Sequence, residues 1–340
     1  MMRLDRWWVR PLVGVVILGV LAGRVGAGAF VDALRRIDGW SLLAATAIAA
    51  VTTVCGAWRW VLVGRGLGVE LSLRAAVAEC YRSQFLNVTL PGGVIGDVRR
   101  GVRHGRDAGD LGRGLRSVVW ERSAGQVVLG GLTLGTVLVL PSPLRSTGGG
   151  DASGGLVSDV EAGGSPSASI LFVVAVLIVL RATVALAART MRRRKGSGVP
   201  RRVLAALVGD VRAGVLGRHT WPGVVATSGV VVTGHVATFV VAARSAGVTA
   251  PALRLLPLAL LVLVAMGLPL NVAGWGPREG AAAWAFGAAG LGAAAGVGTA
   301  VVYGVMALVA SLPGAALLIA SGRQRRPVGS TLVVEGAARD

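Results

Sequence analysis

The sequence has few of the residues from which metal sites, disulfides and catalytic dyads are built. It contains two cysteines, Cys55 and Cys80, within or beside apolar segments, and three histidines scattered along the chain. Two such cysteines provide neither a disulfide framework nor a metal-ligand spacing. Lys195 is the only lysine, and no nucleotide-binding motif is present. We therefore expect no metal ion and no other cofactor.

Charge is also scarce, since only 15% of the 340 residues are charged, whereas 54% are apolar and the mean hydropathy is +0.69. Several apolar runs reach the roughly 20 residues that a helix needs to cross a bilayer. The predicted fold class is therefore all-α, a polytopic integral membrane protein. The 52 glycines suit such a fold because small residues let membrane helices approach closely.

The charge that is present is strongly basic, with a formal net charge of +19. The arginines lie in short stretches between apolar runs, which is the distribution that sets membrane topology. We therefore expect no nucleic-acid partner, and we expect the basic loops to attract anionic lipid headgroups. The rule that positive loops stay inside predicts a cell-membrane protein whose N- and C-termini are both cytoplasmic.

The predicted organisation is a single transmembrane domain over 1–322 and a cytoplasmic tail over 323–340. A flexible extracytoplasmic loop is expected at 141–168 and a basic cytoplasmic loop at 189–220. About eight spans are predicted, at 11–23, 40–63, 117–140, 169–188, 222–243, 253–272, 281–298 and 300–320. The first of them has a cleaved signal peptide as its alternative. Residues 75–90 are apolar but carry several polar side chains, which predicts a re-entrant or broken helix.

The first group of candidate site residues follows that broken helix. Proline and two glycines end the helix there, because proline lacks an N–H and glycine accepts unusual dihedrals. A new helix that begins beside arginines can bind an anion such as phosphate. The alternative is an ordinary turn in which the aspartate caps the next helix. The group comprises Asn87, Pro91, Gly92, Gly93, Gly96, Asp97 and Arg100.

The second group is Glu121 and Arg122, placed about one turn into the predicted span 117–140. An ionisable pair inside a span costs free energy and is a functional hypothesis by default. The alternative is an arginine that extends to the membrane surface and pairs with its neighbouring glutamate.

The third group interrupts another apolar segment with proline and glycine. Its members are Asn271, Gly274, Gly276, Arg278 and Glu279. The tripeptide Leu-Asn-Val occurs at both breaks, at 86–88 and 270–272. Two interrupted segments in matching halves indicate an internal pseudo-repeat of the kind that transporters use. His235, in the span 222–243, is interpreted as a buried, hydrogen-bonded histidine and not as a proton relay.

These motifs, taken in order, resemble the lysylphosphatidylglycerol synthetase/flippase transmembrane-domain family over residues 10–320. The matching positions are Pro91, Gly93, Gly96, Asp97, Arg100, Glu121, Arg122, Gly274, Gly276, Arg278 and Glu279. The resemblance implies a multi-pass inner-membrane protein, with members that translocate aminoacylated phospholipids and others tied to lipid-linked sugars. Bifunctional members carry a soluble synthetase domain after the membrane part; this sequence ends soon after its last predicted span, so we expect no aminoacyl transfer.

The function predicted from these features is a flippase-like translocase for a phospholipid or lipid-linked substrate with an anionic phosphate headgroup. Its partners would be membrane lipids, with a homo-oligomer or a glycosyltransferase as further candidates. One alternative is a non-catalytic membrane partner of a glycosyltransferase or lipid-modifying enzyme. Another is a headgroup transferase with Asp97 or Glu121 as the base. The translocase hypothesis predicts that Asp97, Glu121, Arg122, Arg278 and Glu279 converge around one cavity.

Overall fold

The computed structural model describes residues 35–90, 93–139, 209–267 and 275–323. These residues fold into α-helices and form no strand, which confirms the predicted all-α class. The eight α-helices in the described ranges are α1 (Gly39–Gly66), α2 (Leu73–Thr89), α3 (Ile95–Asp107), α4 (Leu111–Val139), α5 (Trp221–Ser245), α6 (Ala252–Met266), α7 (Pro277–Ala288) and α8 (Ala293–Arg323). The predicted spans 11–23 and 169–188, the loop 141–168 and the tail after residue 323 lie outside these ranges.

Three of the described helices, α1, α5 and α8, have the length and the apolar composition needed to cross a membrane. Helix α4 is 29 residues long, or about 43 Å at 1.5 Å per residue, but its first third is rich in charge. It begins at Leu111 and not at Ser117 as predicted. Glu121 therefore lies about three turns into the helix, deeper than the sequence indicated.

Helices α2 and α3 form a hairpin that turns back inside the bundle, as the prediction of a broken helix over 75–90 required. Ser83 contacts Asp97, and Glu79, further from the turn, contacts Arg99 and Arg103, so the two helices are antiparallel. The turn includes Gly93, whose φ of 61° favours glycine. The arginines that follow the turn accordingly lie on a helix, and Arg100 is buried in it.

Helices α6 and α7 form a second hairpin. Arg254, at the start of α6, donates to the backbone carbonyl of Ala289, just after α7, so these helices are antiparallel as well. They have 15 and 12 residues, which is about 22 and 18 Å of helix, short of the roughly 30 Å hydrocarbon core. Both helices are shorter than the spans predicted at 253–272 and 281–298, and α7 ends ten residues before the predicted end of its span. The chain turns at 289–292 and not near residue 299.

The two halves of the described chain repeat one plan: a long helix, a hairpin and a second long helix. Helices α1 to α4 make the first copy and α5 to α8 the second. The equivalent helices α1 and α5 are antiparallel, because Ser41 bonds to Ser245 whereas Arg59 bonds to Ser228. Antiparallel first helices are what a repeat of inverted topology, found in many transporters, would produce. The helix order therefore agrees with the predicted pseudo-repeat.

The halves differ in what holds them together. The largest apolar cluster lies on α5 to α8, where Phe239 contacts the rings of Phe286 and Tyr303. The first half has smaller apolar clusters and relies on buried ion pairs around its hairpin. The charged residues are therefore concentrated around the first hairpin.

Candidate functional site

A cavity of about 290 Å³ lies where the two hairpins turn. The first hairpin contributes Asn87 and Gly93 to its wall, and the second contributes Met266 and Trp275. Arginines from both halves also reach the wall. Non-helical backbone within a membrane protein is tolerated where it lines such a cavity.

Asp97 organises the first wall from behind the lining. Its carboxylate accepts hydrogen bonds from Ser83 Oγ (2.9 Å), Asn87 Nδ2 (3.1 Å), Arg100 Nε (3.0 Å) and Arg122 Nη2 (2.8 Å). Two of these donors are guanidiniums, so the carboxylate is paired with positive charge on two sides. Asp97 therefore positions arginines.

The first hairpin is closed by Asn87 and not by an aspartate cap. The side-chain oxygen of Asn87 accepts the backbone N–H of Gly96 at 2.8 Å from across the turn. Asp97 is the third residue of α3, whereas Val94 is the capping residue. The alternative in which Asp97 is an ordinary helix cap is therefore wrong.

Glu121 lies in the middle of the charge network and is only 3% exposed. Its Oε1 accepts from Arg59 Nε at 3.0 Å, and its Oε2 accepts from Arg100 Nη2 at 2.6 Å. Arg59 continues to Ser228 on α5 at 3.0 Å, so the network joins both halves. The guanidinium of Arg100 also lies 4.7 Å from the centre of the Trp60 ring. Glu121 does not pair with its neighbour Arg122, contrary to the surface-pair alternative.

Arg122 is the most accessible cation of the cavity. Its side chain is 49% exposed although it lies inside the bundle, because it faces the cavity. Its carboxylate partner in the described part of the chain is Asp97, which it shares with Arg100. A guanidinium with free donors in a partly enclosed space is a strong phosphate ligand.

The opposite wall carries a second arginine–carboxylate pair. Arg278 Nε donates to Glu279 Oε1 at 2.8 Å, and Glu279 Oε2 accepts the backbone N–H of Gly276 at 2.7 Å. Gly276 has a φ of 119°, which only glycine adopts without strain. The Arg278 guanidinium lies 5.1 Å from the ring centre of Trp275 and 5.8 Å from that of Tyr303. Glu279 thus fixes both the hairpin turn and its arginine.

His235 lies between the two walls and donates to or accepts from the Tyr303 hydroxyl at 2.9 Å. The predicted hydrogen bond is present. The ring is exposed to the cavity, however, so the prediction of a buried histidine is wrong.

The charged groups of the two walls occupy similar positions in their helices. Asp97 and Glu279 are each the third residue of the second hairpin helix, α3 or α7. Glu121 and Tyr303 are each the eleventh residue of the long helix that follows, α4 or α8. At this position α4 therefore carries a carboxylate, whereas α8 carries a phenol.

The structure brings together most of the candidate residues predicted from the sequence. Asn87, Gly93, Arg100, Glu121, Arg122 and Arg278 line the cavity. Three others, Gly96, Asp97 and Gly276, lie directly behind it, and Glu279 is fully buried there. Pro91, Gly92, Asn271 and Gly274 lie outside the described residues. That these residues bind a substrate stays a prediction.

Sequence reasoning missed the partners Arg59 and Trp60. Trp58 and Trp60 stand near the end of the predicted span 40–63, where tryptophans usually lie at the membrane interface. Trp58 is exposed, but Trp60 is fully buried and donates to Ser117 Oγ at 3.0 Å. Arg59 is buried against Glu121. An arginine inside an apolar run of this length was the signal that could have found it.

Comparison with known proteins gives one match, to a family. No curated protein and no solved structure matches the chain. The family model described as Lysylphosphatidylglycerol synthase TM region matches residues 7–314, which is most of the chain. The protein therefore belongs to the family of lysylphosphatidylglycerol synthase transmembrane regions, which assigns it to the membrane and to a lipid-related role.

Proposed function

We propose that the protein translocates a phospholipid or lipid-linked substrate with an anionic phosphate headgroup across the cell membrane. In this proposal the protein is multi-pass, with both termini in the cytoplasm, as the distribution of arginines favours. The headgroup passes through the cavity between the two hairpins while the acyl chains stay in the bilayer.

The observation that carries the proposal is the position of Arg122. It is a half-exposed cation in a cavity formed by the turns of two inverted hairpins. Transporters with inverted repeats bind their substrates where interrupted helices of the two copies meet. Arg278 reaches the same cavity from the opposite wall, so a phosphate has a guanidinium available from each copy.

The headgroup-transferase alternative receives less support from the same geometry. A general base has to lie within hydrogen-bond reach of the proton that it takes from the substrate. Asp97 lies behind the cavity lining and already accepts hydrogen bonds from four side chains. Glu121 holds two arginines and has no oxygen left without a partner.

The test is a lipid translocation assay with purified protein in liposomes. A trace of fluorescent phosphatidylglycerol is included, and dithionite quenches the label in the outer leaflet only. Active protein makes the inner-leaflet label accessible over time, with or without an imposed pH gradient. We expect Arg122→Gln to slow this at least about tenfold, because a lost charge-assisted hydrogen bond is worth about 1.5–3 kcal/mol.

The matched control is Arg113→Gln. Arg113 lies on the same helix and also pairs with one aspartate, Asp110, but at an exposed position outside the cavity. The control should translocate at the wild-type rate. The proposal is overturned if liposomes that contain folded wild-type protein show the same label accessibility as protein-free liposomes. That result would favour the membrane-partner alternative, and co-purification of a glycosyltransferase would support it.

A further inference from the structure

The carboxylates around the cavity are all occupied by protein partners. Glu121 is the one acid that lines the cavity in the described ranges, and each of its oxygens accepts from an arginine. Asp97 accepts from four side chains. Glu279 is divided between Arg278 and the Gly276 amide. Each oxygen of these acids therefore already accepts a hydrogen bond from the protein, and none is free of a donor to receive a substrate ammonium group.

The charge balance of the same groups is positive. Among the described residues, four guanidiniums, those of Arg59, Arg100, Arg122 and Arg278, face three carboxylates, which leaves one positive charge. Arg122 presents this charge to the cavity, because it is the most exposed of the four and shares Asp97 with Arg100. Inside a partly enclosed site, unit charges a few ångströms apart interact more strongly than they do in bulk water. A headgroup ammonium beside Arg122 is therefore repelled, whereas a phosphate is attracted.

The remaining polar lining is uncharged. Thr52, Thr53 and Thr238 line the cavity, and each donates its hydroxyl proton to a backbone carbonyl one turn earlier. Their oxygens remain acceptors, and Gln84, whose Nε2 donates to Thr53 at 3.0 Å, adds a carbonyl oxygen. Such acceptors suit hydroxyl donors. They would also accept from an ammonium, but the surplus positive charge opposes that group.

We infer that the headgroup carries phosphate as its only charged group and that the rest of it is neutral and hydroxylated, such as glycerol or a polyol ring. The inference rests on the proposed translocation and specifies its substrate. Lipids whose headgroup bears an amine, including aminoacylated phosphatidylglycerol, are poor substrates of this site.

The inference is tested by comparing four labelled lipids in the same liposome assay. Phosphatidylglycerol and phosphatidylinositol carry a phosphate with a glycerol or a polyol ring, and they distinguish these two sources of hydroxyls. Phosphatidylethanolamine and lysylphosphatidylglycerol add an amine. We expect either hydroxylated lipid to be translocated at least about tenfold faster than both amine-bearing lipids. A preference for phosphatidylglycerol identifies glycerol as the hydroxylated group, and a preference for phosphatidylinositol identifies a polyol ring. Either preference supports the inference.

The variant Arg122→Gln separates a charge effect from a structural one. Removing the surplus charge should slow the phosphatidylglycerol rate more than the phosphatidylethanolamine rate, so the selectivity falls. A merely structural role would slow all four lipids by one factor, and that result would contradict the inference. Arg113→Gln should keep both the rates and the selectivity.

A binding measurement distinguishes failure of the inference from failure of the proposed function. The melting temperature of the detergent-purified protein is measured with short-chain phosphatidylglycerol and with short-chain lysylphosphatidylglycerol. Stabilisation by the former alone supports the inference even if no lipid is translocated, in which case only the translocase proposal fails. The inference is overturned if the lysyl lipid stabilises the protein, or is translocated, as well as or better than phosphatidylglycerol. That outcome does not count against the proposed translocase function.

Discussion

Replacement of Glu121 by glutamine is predicted to destabilise the folded protein, whatever its effect on substrate binding. Glu121 lies between Arg59 and Arg100 and is 3% exposed. The substitution keeps the shape of the side chain but removes its charge. Arg100 retains the carboxylate of Asp97 at 3.0 Å, whereas Arg59 retains only uncharged partners in the described ranges, such as the Ser228 hydroxyl. A buried guanidinium is then left without a counter-charge.

The expected loss of unfolding free energy is about 3–5 kcal/mol, the usual cost of removing one partner from a buried ion pair. The double variant Arg59→Met/Glu121→Met should recover more than half of that loss. An apolar pair of similar volume needs no desolvation of charge, and Arg100 still bonds to Asp97. The recovery would show that the unpaired charge causes the damage.

The assay is thermal or denaturant unfolding of the protein in detergent, read by size-exclusion chromatography of the fraction that remains folded. Glu70→Gln is the matched control, because Glu70 is exposed and no ion pair is found for it among the described residues. Surface changes of this kind stay within about 0.5 kcal/mol. A Glu121→Gln protein as stable as the wild type would refute the reasoning, as would a double variant less stable than the single one.

Two further predictions concern the hairpin and the inverted repeat. Gly96→Ala should lower the free energy of unfolding by about 1–3 kcal/mol, because a Cβ at Gly96 would meet the backbone of Ser83. The control Gly131→Ala should be neutral or slightly stabilising, because Gly131 has open space around it. Equal unfolding midpoints for the two variants would contradict the close packing of the hairpin. In the double variant Ser41→Cys/Ser245→Cys, mild oxidation should form an intramolecular disulfide, because the two hydroxyls are 2.9 Å apart. The single variants control for cross-links to Cys55 or Cys80. Failure to cross-link would argue against the antiparallel packing of α1 and α5.

The sequence predicted the location of the breaks better than the number of spans. Pro91 with its glycines and the Gly276–Pro277 pair mark places where a helix has to end, because these residues cannot continue one. Apolar runs at 253–272 and 281–298 satisfied the length rule for a span. Their composition does not show whether a helix crosses the membrane or turns back within it, because a spanning helix and a re-entrant helix both lie in apolar surroundings.

The amino-acid sequence alone determined the all-α membrane class, the family and most of the charged candidates, because apolar run length and charge in apolar surroundings are local properties. Only the tertiary structure decided the partners. Glu121 pairs with Arg59, which is 62 residues away, and not with Arg122 beside it. Tyr303 is the eleventh residue of α8, as Glu121 is of α4, and this relation depends on where the helices begin. Which arginine stays uncovered depends on these long-range pairings, and Arg122 is left facing the cavity because Asp97 is shared and Glu121 is already occupied.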